Sequence, residues 1–198
     1  MVKLNKIYTK TGDSGETGLG DGSRISKASL RVTAIGAVDE ANSAIGVARL
    51  EAQAQMDTML ARIQNDLFDL GADLCAPEDG RKAEGRLRMS AAQVERLERE
   101  IDAMNEDLPP LRSFVLPGGT RLNADLHVAR TVSRRAERLV VALAREEDVP
   151  SEAVQYLNRL SDAIFVWSRW ANFVLHVPEL LWDPNQAASA RSGGENIL

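Results

Sequence analysis

The sequence contains a single cysteine, Cys75, among its 198 residues, and only two histidines. One thiol cannot form an intrachain disulfide, which excludes the disulfide-stapled secreted domains. The same shortage argues against a structural zinc site, because such sites need clustered cysteine and histidine ligands. We therefore expect a protein of a reducing compartment, the cytoplasm, with no metal site built from its own side chains.

Long apolar runs and an excess of basic residues are also missing. No stretch reaches the roughly 20 consecutive apolar residues that span a bilayer, and the opening MVKLNKIYTK lacks the apolar core of a signal peptide. Lysine and arginine number 24 against 29 aspartate and glutamate, giving a net charge of -5, whereas a nucleic acid backbone favours a cationic partner. We expect a soluble protein that binds neither membrane nor nucleic acid.

Aromatic residues are scarce as well, at 5% of the chain, and the β-branched residues are scattered rather than clustered. Alanine and leucine are abundant, a composition that favours helix packing over sheet stacking. With 44% apolar residues, a chain of this length can bury one full core. We expect one all-α domain over residues 1–198, with a loop over 1–25, a helical bundle over 26–178 and a tail over 179–198.

Five stretches repeat apolar residues at intervals of three and four, the period of an amphipathic helix. They run from about 27 to 54, from 59 to 75, from 90 to 108, from 122 to 149 and from 151 to 177. Ser90 and Gln93 predict a capping box at the start of the third. The charged stretch 79–89 predicts a surface connection, and the Pro/Gly stretch 112–120 a structured loop. Connections this short favour an antiparallel five-helix bundle.

The stretch 8–24, YTKTGDSGETGLGDGSR, has five glycines and no hydrophobic period, so we predict a loop. Glycine lets consecutive N–H groups converge on an anion. The side chains that can add charge or hydroxyl contacts are Lys10, Thr11, Asp13, Thr17, Arg24 and Lys27. A polyphosphate is the ligand this composition favours, although no Walker A motif is present. The alternative is a mobile N-terminal arm without a ligand.

The fourth predicted helix carries a cationic ridge, formed by Arg130, Arg134 and Arg138 at intervals of four. Like charges on one face repel each other unless an anion meets them, so the ridge suggests an anionic ligand. Glu137 is spaced to pair with Arg134, and Asn158 and Asp162 share one face of the fifth helix. The alternatives are a solvated basic face and polar caps on the bundle.

Five motifs occur in order along the chain. They are YTKTGDSGETGL at 8–19, GAVDE at 36–40 followed by Asn42, FVLPGG at 114–119, ARTVSRRAER at 129–138 and YLNRLSD at 156–162. Each motif alone is modest, but five in sequence at compatible spacing are a strong signal. Together they resemble the PduO-type cob(I)alamin adenosyltransferases, and the resemblance spans most of the chain.

The resemblance implies a five-helix bundle that assembles as a homotrimer and binds ATP with Mg²⁺ where one subunit's N-terminal loop meets its neighbour's helices. Cob(I)alamin, the second substrate, attacks the ribose C5′ and releases triphosphate in this family. A reductase would supply the electron that makes cob(I)alamin, and a cobalamin-dependent enzyme would receive the product. Matching the motifs position by position, Arg134 is implied to act at the transition state and Phe114 on the cobalamin side. The phosphates are assigned to the loop residues Thr9, Lys10, Gly12, Asp13, Gly15 and Lys27, with Thr11 and Thr17 beside them, and the rest of the ATP site to Arg134, Arg135, Glu137 and Asn158.

Asp39 and Arg130 occupy positions where similar proteins pair an acid with a base across the subunit boundary.

The reaction itself needs no general base, because cobalt(I) is already a strong nucleophile, and this suits a site of arginine, lysine, threonine and glycine. We accordingly expect His127 and His176 to be structural. Two alternatives stay open: a kinase or nucleotidase, which would use a carboxylate such as Asp13 or Asp162 as its base, and a non-enzymatic helical interaction module.

Overall fold

The structure is a computed structural model that describes residues 7–77, 87–184 and 186. It contains five long helices, as predicted: α1 Leu30–Arg49, α2 Ala54–Leu74, α3 Ala91–Asn105, α4 Arg121–Leu143 and α5 Ser151–Phe173. Most of the predicted 79–89 connection and most of the predicted C-terminal tail lie outside the described residues. Across the part that is described, no helix is long and apolar enough to cross a membrane.

Two helix starts follow from capping residues. The Ser29 hydroxyl accepts a hydrogen bond from the Val32 N–H at 3.3 Å, so α1 begins three residues later than the apolar pattern alone predicted. The predicted capping box at α3 is confirmed, since the Ser90 N–H donates to the Gln93 side chain at 2.9 Å. Both caps satisfy N–H groups that would otherwise have no partner at the first turn.

The core forms where α4 packs between α1 and α5, with α2 against α1 and α3 against α5. Its largest fully buried side chains come from all five helices and include Ile45, Leu67, Leu97, Leu126 and Trp167. Burying one such side chain contributes about 1.5–3 kcal/mol relative to leaving it in water. The helices therefore hold the exposed faces of α4 and α5 in fixed positions, and those faces carry the residues discussed below.

The prediction of an irregular loop over 8–24 was incomplete, because the structure has an antiparallel hairpin of strands β1 Glu16–Gly18 and β2 Arg24–Ser26. Each strand has three residues, too few to show the alternation that predicts a strand. Gly22 turns the chain with φ of 87°, and Asp21 accepts a hydrogen bond from the Ser23 N–H at 2.9 Å. The Asp-Gly pair was the available signal for this hairpin.

The loop between α3 and α4 is structured, as predicted for residues 112–120, and Asn172 of α5 holds it in place. Buried at 1% exposure, Asn172 accepts hydrogen bonds from the N–H and hydroxyl of Thr120, at 3.0 and 2.9 Å. Its amide also donates to the Gly118 carbonyl at 2.9 Å. Asn123 accepts from the Gly118 N–H at 2.8 Å. These contacts fix the loop on the bundle.

Gly119 is expected to be the residue of this loop that tolerates substitution least. Its φ is 100°, and an added Cβ would lie 2.6 Å from the Asn172 amide nitrogen. Gly119→Ala should therefore lower the free energy of unfolding by about 3 kcal/mol, through backbone strain and the lost Asn172 hydrogen bonds. Gly71→Ala in α2 is the matched control, because a Cβ there meets nothing within 4 Å. Denaturant titration should show that control unchanged or stabilised by up to about 1 kcal/mol; equal stability of both variants would contradict the anchoring role of Asn172.

Candidate functional site

A cavity of about 720 Å³ lies between the α3–α4 loop, α4 and α5. Its walls combine three aromatic rings with charged groups: Phe114, Phe165, Trp182, Arg130, Arg134 and Asp162. Two other cavities, of about 410 and 440 Å³, contain none of the residues predicted to be functional. The cavity therefore brings together the FVLPGG loop, the arginine ridge and the YLNRLSD segment, which are far apart in sequence.

Arg130 and Arg134 make one wall of this cavity positive. Burial, followed by the charge of Arg134, lowers the pKa of Arg130. The Arg130 guanidinium lies 5.9 Å from the centre of the Phe165 ring, within the range of a cation–π contact. Its Nε is buried and has no hydrogen-bond partner among the described residues. A buried guanidinium with a free N–H donor favours a negatively charged partner, either a ligand or a carboxylate side chain, that accepts a hydrogen bond from it.

His127 lies behind the arginines with 3% of its surface exposed. Its Nε2 is 3.2 Å from the Ser168 hydroxyl, and its ring meets Phe165 edge-on at 6.2 Å. Burial, and then the charge of Arg130, lowers the pKa of His127. A neutral imidazole that packs between α4 and α5 fits the structural role predicted for it, although the ring also lines the cavity.

The predicted ATP residues at the other side of α4 have partners within the chain. Arg135 forms an ion pair with Glu40 of α1. Glu137, which the sequence spacing pairs with Arg134, accepts a hydrogen bond from the Asn158 amide at 3.0 Å. Asn158 in turn accepts from Arg159 at 2.9 Å. These contacts place polar side chains of α1, α4 and α5 close to one another, an arrangement that the sequence did not indicate.

The N-terminal loop folds its predicted phosphate residues around a turn. The N–H groups of Asp13 and Gly15 donate to the carbonyls of Lys10 and Gly12, at 3.3 and 3.2 Å, and the Lys27 N–H donates to the Gly15 carbonyl at 2.8 Å. Lys10 and Gly15 have positive φ, 61° and 85°. The Lys27 ammonium lies so close to Gly12 that an added Cβ would be 2.8 Å from it. Gly12 thus allows a cation to approach the backbone.

The threonines of this loop lie beside the same turn. The hydroxyls of Thr9 and Thr11 are 2.9 Å apart, and Arg24 donates to the Thr11 carbonyl at 2.7 Å. Thr17 is in β1. The loop is fastened to the end of α2, where the Gly20 N–H donates to the Cys75 carbonyl at 2.7 Å. None of the described residues of this loop lines the 720 Å³ cavity. Within one chain, the predicted phosphate residues of the loop are therefore not part of the cavity that Phe114 and Arg134 line.

The remaining predicted residues are exposed. Phe114 is 77% exposed at the cavity, and its ring centre lies 6.1 Å from that of Trp182. Asp39 is exposed on α1. Sequence reasoning missed Phe165 and Trp182 as cavity residues. Phe165 could have been found, since it lies three positions after Asp162 on a helix, whereas Trp182 follows Pro178 outside any periodic pattern.

The fold and the cavity place the chain among the helical bundles that bind a small molecule between side chains of neighbouring helices. A family model described as cobalamin adenosyltransferase matches residues 7–171. The chain therefore belongs to the cobalamin adenosyltransferase family, which confirms the resemblance drawn from the five motifs.

Curated relatives and solved structures agree with this family. The corrinoid adenosyltransferase of Mycobacterium tuberculosis is 49% identical over 187 residues, which covers 92% of this chain and 95% of that protein. The cobalamin adenosyltransferase of Cupriavidus metallidurans is 47% identical over 182 residues, covering 91% and 95%. A variant PduO-type ATP:corrinoid adenosyltransferase from Lactobacillus reuteri, solved with cobalamin and ATP, matches with a TM-score of 0.83 and 39% identity over 89% of this chain and 99% of that one.

Proposed function

We propose that this enzyme transfers the 5′-deoxyadenosyl group of ATP to the cobalt of cob(I)alamin and releases triphosphate. The observation that carries the proposal is the cavity, in which the family's arginine and phenylalanine motifs meet. The positive charge of Arg134 suits a polyphosphate, and the aromatic rings suit the broad apolar face of a corrin. The Lactobacillus reuteri relative that binds cobalamin and ATP has the same fold, which supports both substrates.

The chemistry uses no acid or base from the protein. The cobalt(I) electron pair attacks C5′, the Co–C bond forms, and the C5′–O bond breaks with its electron pair going to the triphosphate. Since negative charge develops on the leaving group, we assign Arg134 to stabilise it in the transition state. We assign the phosphates to Thr9, Lys10, Thr11, Gly12, Asp13, Gly15, Thr17 and Lys27, and the remainder of the ATP site to Arg135, Glu137 and Asn158.

The separation of the N-terminal loop from the cavity supports a composite site. We propose a homotrimer in which the loop of one subunit completes the cavity of its neighbour. The buried Nε of Arg130 has no partner among the described residues, and the carboxylate of Asp39 is exposed. These two groups would pair across the boundary, where each would satisfy the other.

Mg²⁺ is proposed to enter the site with ATP. Within the described ranges, no group of three His, Cys, Asp or Glu side chains could hold a metal ion. Mg²⁺ usually takes oxygen ligands from substrate phosphates and water, with one or two carboxylates at most, so this residue set fits an ion held mainly by the nucleotide. The proposed setting is the cytoplasm, where a reductase would supply cob(I)alamin and a cobalamin-dependent enzyme would accept the product.

Product analysis separates this proposal from the kinase or nucleotidase alternative, which Asp162 in the cavity keeps relevant. Purified enzyme, ATP, Mg²⁺ and cob(I)alamin would be followed anaerobically by ³¹P NMR. Inorganic triphosphate, formed in step with the loss of ATP and dependent on cob(I)alamin, is the expected product. ADP with inorganic phosphate, formed whether or not cob(I)alamin is present, would favour hydrolysis or phosphoryl transfer instead.

Phe114→Ala is expected to impair the reaction that starts from cob(II)alamin more than the one that starts from cob(I)alamin. An apolar ring at the lower face of the corrin would exclude water and the lower axial ligand, and loss of that ligand makes cobalt(II) easier to reduce. Rates should be measured with chemically reduced cob(I)alamin and with cob(II)alamin plus a reductant of fixed potential. We expect the second rate to fall about tenfold further than the first, equivalent to about 1.4 kcal/mol. If the rates from cob(I)alamin and from cob(II)alamin fell by the same factor, the Phe114 ring would serve only for packing.

A further inference from the structure

Residues 179–182, which follow α5, pair with the loop that carries Phe114. The Trp182 N–H donates to the Phe114 carbonyl, and the Leu116 N–H donates to the Leu180 carbonyl, both at 2.8 Å. The Ser113 hydroxyl donates to the Trp182 carbonyl, also at 2.8 Å. We call residues 179–182 the C-terminal strap. It forms an antiparallel bridge with the loop, so the backbone on both sides of Phe114 is held by it.

A buried arginine anchors the strap at its other end. Arg169 of α5 is 4% exposed, and its guanidinium contacts both carboxylate oxygens of Glu179, at 2.7 and 3.1 Å. The same guanidinium donates to the Pro109 carbonyl at 2.6 Å. A bidentate arginine–carboxylate pair fixes orientation as well as distance. One buried group therefore ties the strap and the start of the Phe114 loop to the bundle.

The Trp182 side chain extends from this strap to the cavity. Its ring centre lies 6.1 Å from that of Phe114 at an interplanar angle of 60°, a geometry typical of paired aromatic rings. Although Trp182 lines the cavity, 48% of its surface is exposed. The backbone hydrogen bonds at 182 hold the residue in place, yet about half of its surface is left exposed at the edge of the cavity. An apolar ligand that covers it would gain from the contact.

We infer that Trp182 forms a second aromatic wall of the corrinoid site, and that the C-terminal strap is a positioning element for Phe114. This inference rests on the proposed function. A corrin presents a wide apolar face, which two rings on a backbone already held in place can cover at a reduced cost in conformational freedom. ATP would contact Arg134 and the N-terminal loop of the neighbouring subunit, whereas Trp182 is paired with Phe114 on the aromatic side of the cavity. Trp182 should therefore govern the affinity for the corrinoid and have little effect on the affinity for ATP.

The test is a comparison of the two Michaelis constants in the full-length enzyme. We expect Trp182→Ala to raise the KM for cob(I)alamin about tenfold, as for loss of a buried aromatic anchor, and to change the KM for ATP less than about twofold. Trp182→Phe keeps an aromatic face and should recover most of the affinity. Leu175→Ala is the matched control, because Leu175 is an exposed apolar residue after α5 that lines a different cavity.

A second variant tests the anchor. Glu179→Gln removes the charge that Arg169 binds while keeping a similar shape, so we expect it to raise the KM for cob(I)alamin by about three- to tenfold. Unchanged corrinoid KM in both Trp182→Ala and Glu179→Gln, or an equal rise in the two Michaelis constants, would overturn the inference. A wild-type enzyme that forms no adenosylcobalamin would refute the proposed function instead, so the two failures are distinguishable.

Discussion

Arg134→Ala is expected to lower kcat by about 10²–10³-fold, the loss typical of removing one preorganised group that stabilises transition-state charge. Arg134 is exposed at the cavity and forms no ion pair among the described residues, so it contributes little to the fold. Its removal should change the free energy of unfolding by less than about 0.5 kcal/mol. Steady-state kinetics together with denaturant titration would measure both quantities.

Arg138→Ala is the control for this variant, because Arg138 is exposed on the same helix and does not line the cavity. It removes the same charge from the same ridge, and its kcat should stay close to that of the wild type. Arg134→Lys keeps the charge but loses the planar fork of donors, so an intermediate kcat is expected. If Arg138→Ala were as damaging as Arg134→Ala, the effect would come from overall charge rather than from the cavity.

The second large effect is expected at the proposed boundary between subunits. Asp39→Asn or Arg130→Ala should each leave one charge without its partner, which costs roughly 3–5 kcal/mol where the charge is buried. Arg130 is already desolvated in the single chain, and its pKa is lowered by burial and by Arg134. Each variant should weaken the trimer and raise the KM for ATP. Sedimentation velocity over a range of protein concentrations, with ATP kinetics in parallel, would show both changes.

The charge-reversed double variant Asp39→Arg with Arg130→Asp should recover part of the assembly and part of the ATP affinity. Glu95→Gln is a suitable control, because Glu95 forms an exposed pair with Arg99 on α3. Exposed pairs of this kind contribute at most about 1 kcal/mol, so the assembly should not change. If both single variants remained fully trimeric with wild-type ATP kinetics, the pairing would be refuted. Arg130 would then belong to a solvated basic face, which is the alternative that the sequence left open.

The helical part of the fold could be predicted because its signals are local. Apolar periodicity located all five helices, and Ser90 with Gln93 located the start of α3. The hairpin of β1 and β2 was missed because each strand has only three residues. The alternation of apolar and polar residues that identifies a strand needs at least about four. The end of α1 was placed too late for a similar reason, since alanines and glutamines join α1 to α2 without a strong helix breaker.

The candidate site was only partly predictable, because its geometry depends on contacts between distant segments. The motifs pointed to Phe114 and Arg134, and the structure places both at one cavity. No sequence pattern could show that Glu40 pairs with Arg135, since the two lie on different helices. Trp182 reaches the cavity only through the C-terminal strap, whose pairing with the loop is a tertiary contact.

The central claim is that this chain forms a cobalt–carbon bond with ATP as the adenosyl donor. The direct measurement is an anaerobic reaction of the purified enzyme with ATP, Mg²⁺ and chemically reduced cob(I)alamin, followed by the absorbance spectrum and then exposed to light. We predict that the cob(I)alamin spectrum converts to that of an alkylcobalamin, one equivalent per ATP consumed, and that light destroys the new species. A cob(I)alamin spectrum that stays unchanged with ATP, under conditions where the enzyme is folded, would contradict the account.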